Sequence, residues 1–284
     1  MLATVVIPAR GRSELLDRTV KSIKNCSGSD DVEIIIIDDF SERKITCEYL
    51  TSQDSIVYLS ENSGAAVARN IGIDNAKGDL IYLMDSDDYI IERDFVTDHK
   101  RYKDTNCLWF SDIQSQGFKS NYPEEIFIKD FFNSIFFKFP HVCQTSSLFF
   151  DRKLNIKFDE SLPKHQDWDF VLFSALIEGT KVKKGNGTIF FDRGDRKSLS
   201  RGSKGDLSNV WYSKLLGAVD RDFNFNQIRY FLFSQYLSNY KWSQFTSNSL
   251  KLILTNKASV KTVLIKLCHR IIAIKKNILN GFQA

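Results

Sequence analysis

Short apolar runs alternating with helix-spaced stretches dominate the first half of the chain. Runs at residues 3–8, 33–37, 55–59, 80–84 and 107–111 have strand length and are rich in branched or aromatic residues. Between the first two, Ser13 is placed to cap a helix with Leu15, Leu16, Val20 and Ile23 on its inner side. Between the third and fourth, "GAAVARNIGIDNAKG" predicts a second helix ending near Gly78. Alternation of this kind predicts an α/β fold of βαβ units around a mainly parallel sheet.

The pattern changes further on. Residues 121–165 are rich in Phe and show no clean period, except for a buried strand predicted at "TSSLFF", residues 145–150. "QDWDFVLFSALIEG" then predicts a helix that opens on acids and closes at Gly179. The polar, basic and Gly-containing stretch "RGDRKSLSRGSKGD" at 193–206 reads as a loop, and everything beyond it reads as helical. There Val260, Val263, Leu264, Leu267, Ile271, Ile274 and Ile278 recur at helical spacing between basic flanks. Two readings stand: a helix packed on the protein with a solvated basic face, or a helix lying on an anionic membrane surface. The expected organisation is a domain of residues 1–206 followed by a basic helical extension of residues 207–284.

Charge sharpens that division. The net charge of +4 conceals an asymmetry, because no Asp or Glu follows Asp222. Nine of the 39 basic residues lie beyond it, leaving 30 basic against 35 acidic groups before it. A +9 tail calls for an anionic partner: nucleic acid, a membrane surface or a phosphorylated substrate. Nucleic acid is the least supported of these, since the tail's aromatic residues follow helical spacing and no nucleic-acid motif accompanies them. No apolar run approaches the ~20 residues of a membrane span, and Met1–Pro8 has a first strand's pattern rather than a leader's. A soluble or peripheral protein is expected. The five cysteines are scattered, odd in number and never in C-x-x-C spacing, as free thiols in a reducing cytoplasm would be. His99, His141, His165 and His269 make no metal spacing, and no Ser-His-Asp triad or phosphate-loop pattern occurs.

Candidate chemistry lies in acidic clusters. Ligands of open α/β sheets bind outside the carboxyl ends of strands, where three such clusters are expected: Asp38-Asp39, Asp85-x-Asp87-Asp88 and Asp112. Adjacent carboxylates repel one another, so a cation, a set of donors or open water must face them. Asp85-x-Asp87 suits a hard cation such as Mg²⁺ or Mn²⁺ better than a calcium loop, which would need a Gly and a terminal Glu that are missing. By itself a D-x-D is also a common turn.

The order of the motifs carries more than any one of them. "IIIIDDFS", "NSGAAVARNIGIDNAKGD" and "LIYLMDSDD" resemble the V-D-D-G-S, N-x-G-x-x-x-A-R-N-x-G and L-D-x-D-D series of glycosyltransferase family 2, in that order and at about those separations. Downstream, "SSLFFDRKLNIKFDESLPKHQDWDFVLFSAL" is similar to the family's acceptor-side region, which ends in an E-D-W-D helix. The resemblance spans roughly residues 3–201. It implies the GT-A fold, a Rossmann-like, mainly parallel central sheet flanked by helices, and inverting transfer of a sugar from a nucleoside diphosphate, UDP foremost.

Carried over by position, the resemblance implies that Asp39, with or without Asp38, contacts the base, with Pro8, Ala9 and Arg10 lining the same pocket. Asp85 faces the ribose or the metal, with Ser86 beside it in the donor site. Asp87 is the prime ligand of a Mn²⁺ or Mg²⁺ that bridges the diphosphate, and Asp88 shares that metal or caps the next turn. Arg69 lies near the phosphate or sugar, or is simply a surface helix residue; Asn62 and Asn70 fix the loop and helix start. Asp167 is the general base, or else only an acid at a helix N-terminus. Trp168, Gln166 and His165 adjoin it on the acceptor side, where Trp168 would serve equally as core.

Three departures accompany the match. Gln166 replaces the usual Glu, "PARGR" replaces P-x-Y-N, and the later R-x-H-x-x-S-x-S pattern lacks its His. Arg193, Arg196, Lys197 and Arg201 are there instead, as cations to cover the leaving diphosphate or as a solvated linker. The short, basic-tailed chain resembles bacterial members that extend lipid-linked saccharides for O-antigen (lipopolysaccharide), capsule or exopolysaccharide. That implies a polyprenyl-diphosphate acceptor and a peripheral site on the cytoplasmic face of the inner membrane. The competing class is a non-catalytic GT-A scaffold of a polysaccharide assembly complex.

Overall fold

Seven consecutive buried residues, VEIIIID, form strand β2 (Val32–Asp38), as a strand covered on both faces requires. In the computed structural model β2 lies between β1 (Ala3–Ala9) and β3 (Ser55–Tyr58), parallel to both. β4 (Leu80–Leu83) pairs in parallel with the other side of β1. The structure describes residues 1–11, 13–128, 142–177 and 179–192, with isolated positions at 131, 134, 135, 210, 211, 214 and 215.

The two expected crossover helices are present as α1 (Ser13–Lys24) and α2 (Ala65–Asn75). α1 buries Leu16, Thr19, Val20 and Ile23, while Leu15 is only partly covered. α2 lies so close to β1 that a Cβ on Gly72 would stand 2.2 Å from Val6 Cγ1. Gly72→Ala is therefore expected to destabilise the fold by about 1–3 kcal/mol, read as a lower urea midpoint at unchanged slope. α2 ends at Asn75, short of the predicted Gly78. The amides of Lys77 and Gly78 leave the helix to donate to Glu33 Oε2 (3.1 Å) and Thr4 Oγ1 (2.9 Å).

Beyond β4 the sheet becomes mixed. β9 (Leu148–Asp151) is antiparallel to β4 and to β6 (Cys107–Ser115). β10 (Lys181–Phe190) runs parallel to β6, and β5 (Tyr89–Glu92) closes that side antiparallel to β10. The order is β3-β2-β1-β4-β9-β6-β10-β5, with β7 (Phe118–Lys119) on β6 and β8 (Glu125–Ile126) on β10. The strand predicted at 145–150 starts later, because Thr145–Ser147 form a 3-10 turn. β6 extends beyond its predicted end, which places Asp112 within the strand rather than at its tip. There Asp112 accepts from Ser120 Oγ (2.7 Å) and pairs with Lys184 (3.0 Å), so it takes no part in a cleft at the strand ends.

Asp94 caps α3 (Phe95–Tyr102) by accepting from the amides of Val96 and Thr97. That helix carries Asp98 under the sheet, where it meets Tyr82 of β4 and Arg93. α4 (Gln166–Ile177) forms where the "QDWDFVLFSALI" pattern placed it. The chain divides into two compact units, Met1–Ser198 and Leu199–Ala284. In the second unit only Val210, Trp211, Lys214 and Leu215 are described, all of them helical; the amphipathic stretch at 260–278 lies outside the described residues. Among the described residues no helix is long and apolar enough to cross a membrane.

Candidate active site

The carboxyl ends of β1, β2 and β4 and the first turn of α4 carry most of the predicted residues, and α2 carries Arg69. After β2 the two adjacent aspartates diverge. Asp38 is buried, and its carboxylate accepts from the Ser41 amide (3.0 Å), Ser41 Oγ (2.5 Å) and the Ile45 amide (3.4 Å). This closes an Asx-type turn. The oxygens of Asp38 thus fold its own loop.

Asp39 reaches the other way. Its carboxylate accepts from the Ser63 amide (2.7 Å) and from the Gly64 amide (3.0 Å to Oδ2) at the start of α2. With the Asn62 amide oriented so that each of its atoms meets a partner of opposite sense, Asn62 donates to Asp39 Oδ2 and accepts from Arg10 Nη1, both at 2.9 Å. Asp39 and the exposed Arg10 are thus linked through one side chain beside Pro8 and Ala9. Asn70 acts farther along α2, clasping the backbone of Phe158 in both directions and donating to Glu160. Both asparagines fix local structure, as expected.

The Asp85–Asp88 turn is held from three sides. Arg18 Nη2 donates to the carbonyl of Asp87 (2.5 Å), and Thr19 Oγ1 donates to that of Asp88 (2.6 Å). Ser146 Oγ accepts from the Asp85 amide (3.0 Å) and donates to Asp88 Oδ2 (2.5 Å). The Asp192 amide donates to Asp88 Oδ1 (3.0 Å), while the Asp192 carboxylate pairs with Arg18 (2.9 Å). Burial first, and the neighbouring Asp85 second, push the Asp88 carboxyl well above the usual carboxylate range. With two internal donors, the buried Asp88 carboxyl anchors the turn. Ser86 is likewise buried, and its carbonyl accepts from Thr19 Oγ1 (3.2 Å).

Asp85 and Asp87 remain partly exposed. Among the described residues no group of three or more His, Cys, Asp or Glu side chains is close enough to hold a metal unaided. Two accessible carboxylates at a strand end nevertheless fit a hard cation completed by substrate phosphates. Asp85 also binds Arg69, whose Nη2 lies 2.6 Å from Asp85 Oδ1. Arg69 is buried, not a surface helix residue; its guanidinium rests on the Phe158 ring at 5.3 Å and its Nε has no hydrogen-bond partner.

Asp167 stands in the first turn of α4, with Oδ1 accepting from the Trp168 amide (3.0 Å). Desolvation pushes its pKa up to about 6; the Trp168 amide and the charge of Arg69 oppose that rise, and the charge of Asp85 adds to it. Asp85, Arg69 and Asp167 therefore act on one another electrostatically, across elements that are remote in sequence. His165, at a positive φ of 64°, stacks on Trp168 with ring centroids 4.9 Å apart and 11° between planes. Burial, with Lys164 close by, lowers its pKa to about 3, so it is neutral at physiological pH. Gln166 Nε2 donates to the Leu162 carbonyl (2.7 Å), a structural bond that a Glu could not make while ionised. Arg196 and Arg201 lie outside the described residues. Arg18, Thr19, Ser146 and Asp192 were not foreseen, since nothing local marks residues whose partners are 58 to 174 positions away.

The family model described as glycosyl transferase family 2 matches residues 4–155, more than half of the chain. The chain belongs to this family. The family-2 chain is 38% identical over 92 residues to the putative teichuronic acid biosynthesis glycosyltransferase TuaG of Bacillus subtilis, covering 31% of this chain and 36% of TuaG. It is 32% identical over 133 residues to the poly(ribitol-phosphate) beta-N-acetylglucosaminyltransferase TarP of Staphylococcus aureus, covering 44% and 41%. These matches span less than half of either relative. Among solved structures, S. aureus TarS 1-349 in complex with UDP-GlcNAc superposes with a TM-score of 0.59 at 15% identity, covering 84% of this chain and 73% of that one. The family-2 fold is thus GT-A, as expected.

Proposed function

We propose that this family-2 protein transfers a sugar from a nucleoside-diphosphate donor, foremost a UDP-sugar, to a hydroxyl of a growing surface polysaccharide, with inversion at the anomeric carbon. The observation that carries the reading is Arg69, which bonds Asp85 at the donor-side turn and whose charge also acts on Asp167. One guanidinium thus acts on both the donor-side turn and the proposed base.

With a pKa of about 6, Asp167 is ionised at neutral pH and basic enough to take the proton of an acceptor hydroxyl. The acceptor oxygen bonds to the anomeric carbon as the bond to the diphosphate oxygen breaks on the opposite face. The proton ends on Asp167, and the nucleoside diphosphate leaves with the electron pair. Arg69, fixed by Asp85 and the Phe158 ring, directs positive charge to the departing group. A Mn²⁺ or Mg²⁺ held by Asp87 and Asp85 would neutralise further diphosphate charge. Asp39 and Arg10 orient the base, and Pro8 and Ala9 wall its pocket. The stacked Trp168 and His165, with Gln166 bracing the helix start, offer the acceptor sugar a flat face.

The names of TuaG and TarP support a surface-polysaccharide acceptor, and TarS in complex with UDP-GlcNAc supports a uridine nucleotide. The +9 tail supports a lipid-linked, polyprenyl-diphosphate acceptor reached from the cytoplasmic side of an anionic membrane, at about 1 kcal/mol per basic residue near the surface. Sedimentation with anionic and with neutral vesicles reads that contact, and equal partitioning removes it.

Isothermal titration with UDP, with and without Mn²⁺, tests the donor site. Binding is expected to require the metal and to weaken at least tenfold in Asp87→Ala, a cost of about 1.4 kcal/mol or more. Failure to bind UDP, GDP, TDP or CDP under any condition would overturn the reading. Metal-dependent UDP binding without turnover would favour the scaffold instead.

A further inference from the structure

Phe40 follows Asp39 directly, is 52% exposed, and has a φ of 59°, in the left-handed region that a phenylalanine occupies only at a cost. The sequence could have avoided both penalties with glycine, the residue of the V-D-D-G-S pattern at this position. The turn that carries Phe40 is held by several hydrogen bonds. The Asp39 amide donates to the Ala9 carbonyl (2.9 Å), the Gly11 amide donates to Ser41 Oγ (2.8 Å), and Asp38 accepts from Ser41. An exposed aromatic ring thus directly follows Asp39, whose carboxylate is joined through Asn62 to Arg10. The segment at residues 8–11 contributes no aromatic residue. Tyr58, at the end of β3, is occupied, because its hydroxyl donates to the Ile45 carbonyl (2.9 Å) and its ring carries the Lys44 ammonium at 5.1 Å.

We propose that Phe40 is the stacking platform for the nucleobase of the donor, holding its face while Asp39 and Arg10 address its edge. This rests on the proposed nucleotide-sugar function. A ring already exposed on a hydrogen-bonded turn suits a planar aromatic ligand, because less ordering is needed on binding. Stacking of a base on an aromatic side chain does not depend on metal or phosphate.

The test compares wild type, Phe40→Gly, Phe40→Ala and Phe40→Trp by titration with UDP and with inorganic pyrophosphate, both with Mn²⁺, alongside thermal melts. Both small variants are expected to bind UDP about tenfold more weakly and pyrophosphate equally well, while Phe40→Trp keeps UDP affinity. Phe40→Gly is expected to melt no lower than wild type, since glycine relieves the left-handed backbone. UDP affinity within twofold of wild type in both small variants would overturn the proposal. So would equal loss of UDP and pyrophosphate, which would place the effect on the phosphate side. Wild type that binds no nucleotide at all would overturn the donor-site reading instead, and this inference with it.

Discussion

Asp167→Asn is expected to lower turnover by about two to four orders of magnitude while leaving UDP affinity within a fewfold of wild type. The amide keeps the shape and the hydrogen bond from the Trp168 amide but cannot accept a proton from the acceptor hydroxyl. Wild-type kcat/KM should rise with pH through about 6 and then level, because only the ionised carboxylate is a base. The residual activity of the variant should lack that limb. Stability should move in the opposite direction to activity. An acid whose pKa is raised from 3.8 to about 6 on folding binds its proton more tightly in the folded state. Its ionisation costs stability as pH rises from about 4 to 6, and the cost is complete above 6. Asp167→Asn should therefore stabilise the protein at pH 7–8 by up to about 3 kcal/mol and have no such effect at pH 3–4. Loss of turnover together with a higher melting temperature at neutral pH would separate a catalytic group from a helix-start acid. Unchanged turnover would remove the base assignment.

Asp98→Ala is expected to cost about 3–5 kcal/mol of stability, read as a lower urea midpoint. Asp98 and Arg93 are both 1% exposed in their side chains and meet at 2.6 Å. Tyr82 also donates to Asp98 (3.0 Å), and the Arg93 guanidinium lies 4.6 Å from the Tyr82 ring centroid and 4.9 Å from that of Phe149. Arg93 also donates to Ser111 Oγ and, at 3.2 Å, to the Asn186 carbonyl, so one side chain joins β4, β6, α3 and the bulged middle of β10. Removal of the carboxylate strands a buried cation that already has an unpartnered Nε. Because the stranded charge causes most of the loss, Arg93→Met combined with Asp98→Leu should recover the larger part of it. If the double variant is no better than the single one, the hydrogen-bond network and not the charge carries the stability.

The sequence by itself determined the parallel half of the protein. β1, β2, β3 and β4 and the two crossover helices follow from apolar runs, a cap and helical spacing, which are local signals. The family motifs singled out Asp39, Asp85, Asp87 and Asp167 for the proposed site, because such motifs fix residue types at set places along the chain. Tertiary structure alone decided how adjacent acids divide their work. Asp38 and Asp39 are neighbours in sequence, yet one folds its own turn and the other binds the start of α2. Asp85 and Asp88 are three residues apart, yet only Asp88 is enclosed, by Ser146 and the Asp192 amide. Burial of a carboxylate depends on which remote segments cover it, and no local pattern records that. The same holds for the mixed half of the sheet, where the place of β9 between β4 and β6 is set by long-range pairing of "LFFD". It holds as well for Arg69, whose position within a helix motif was legible but whose burial between Asp85 and the Phe158 ring exists only in the folded chain.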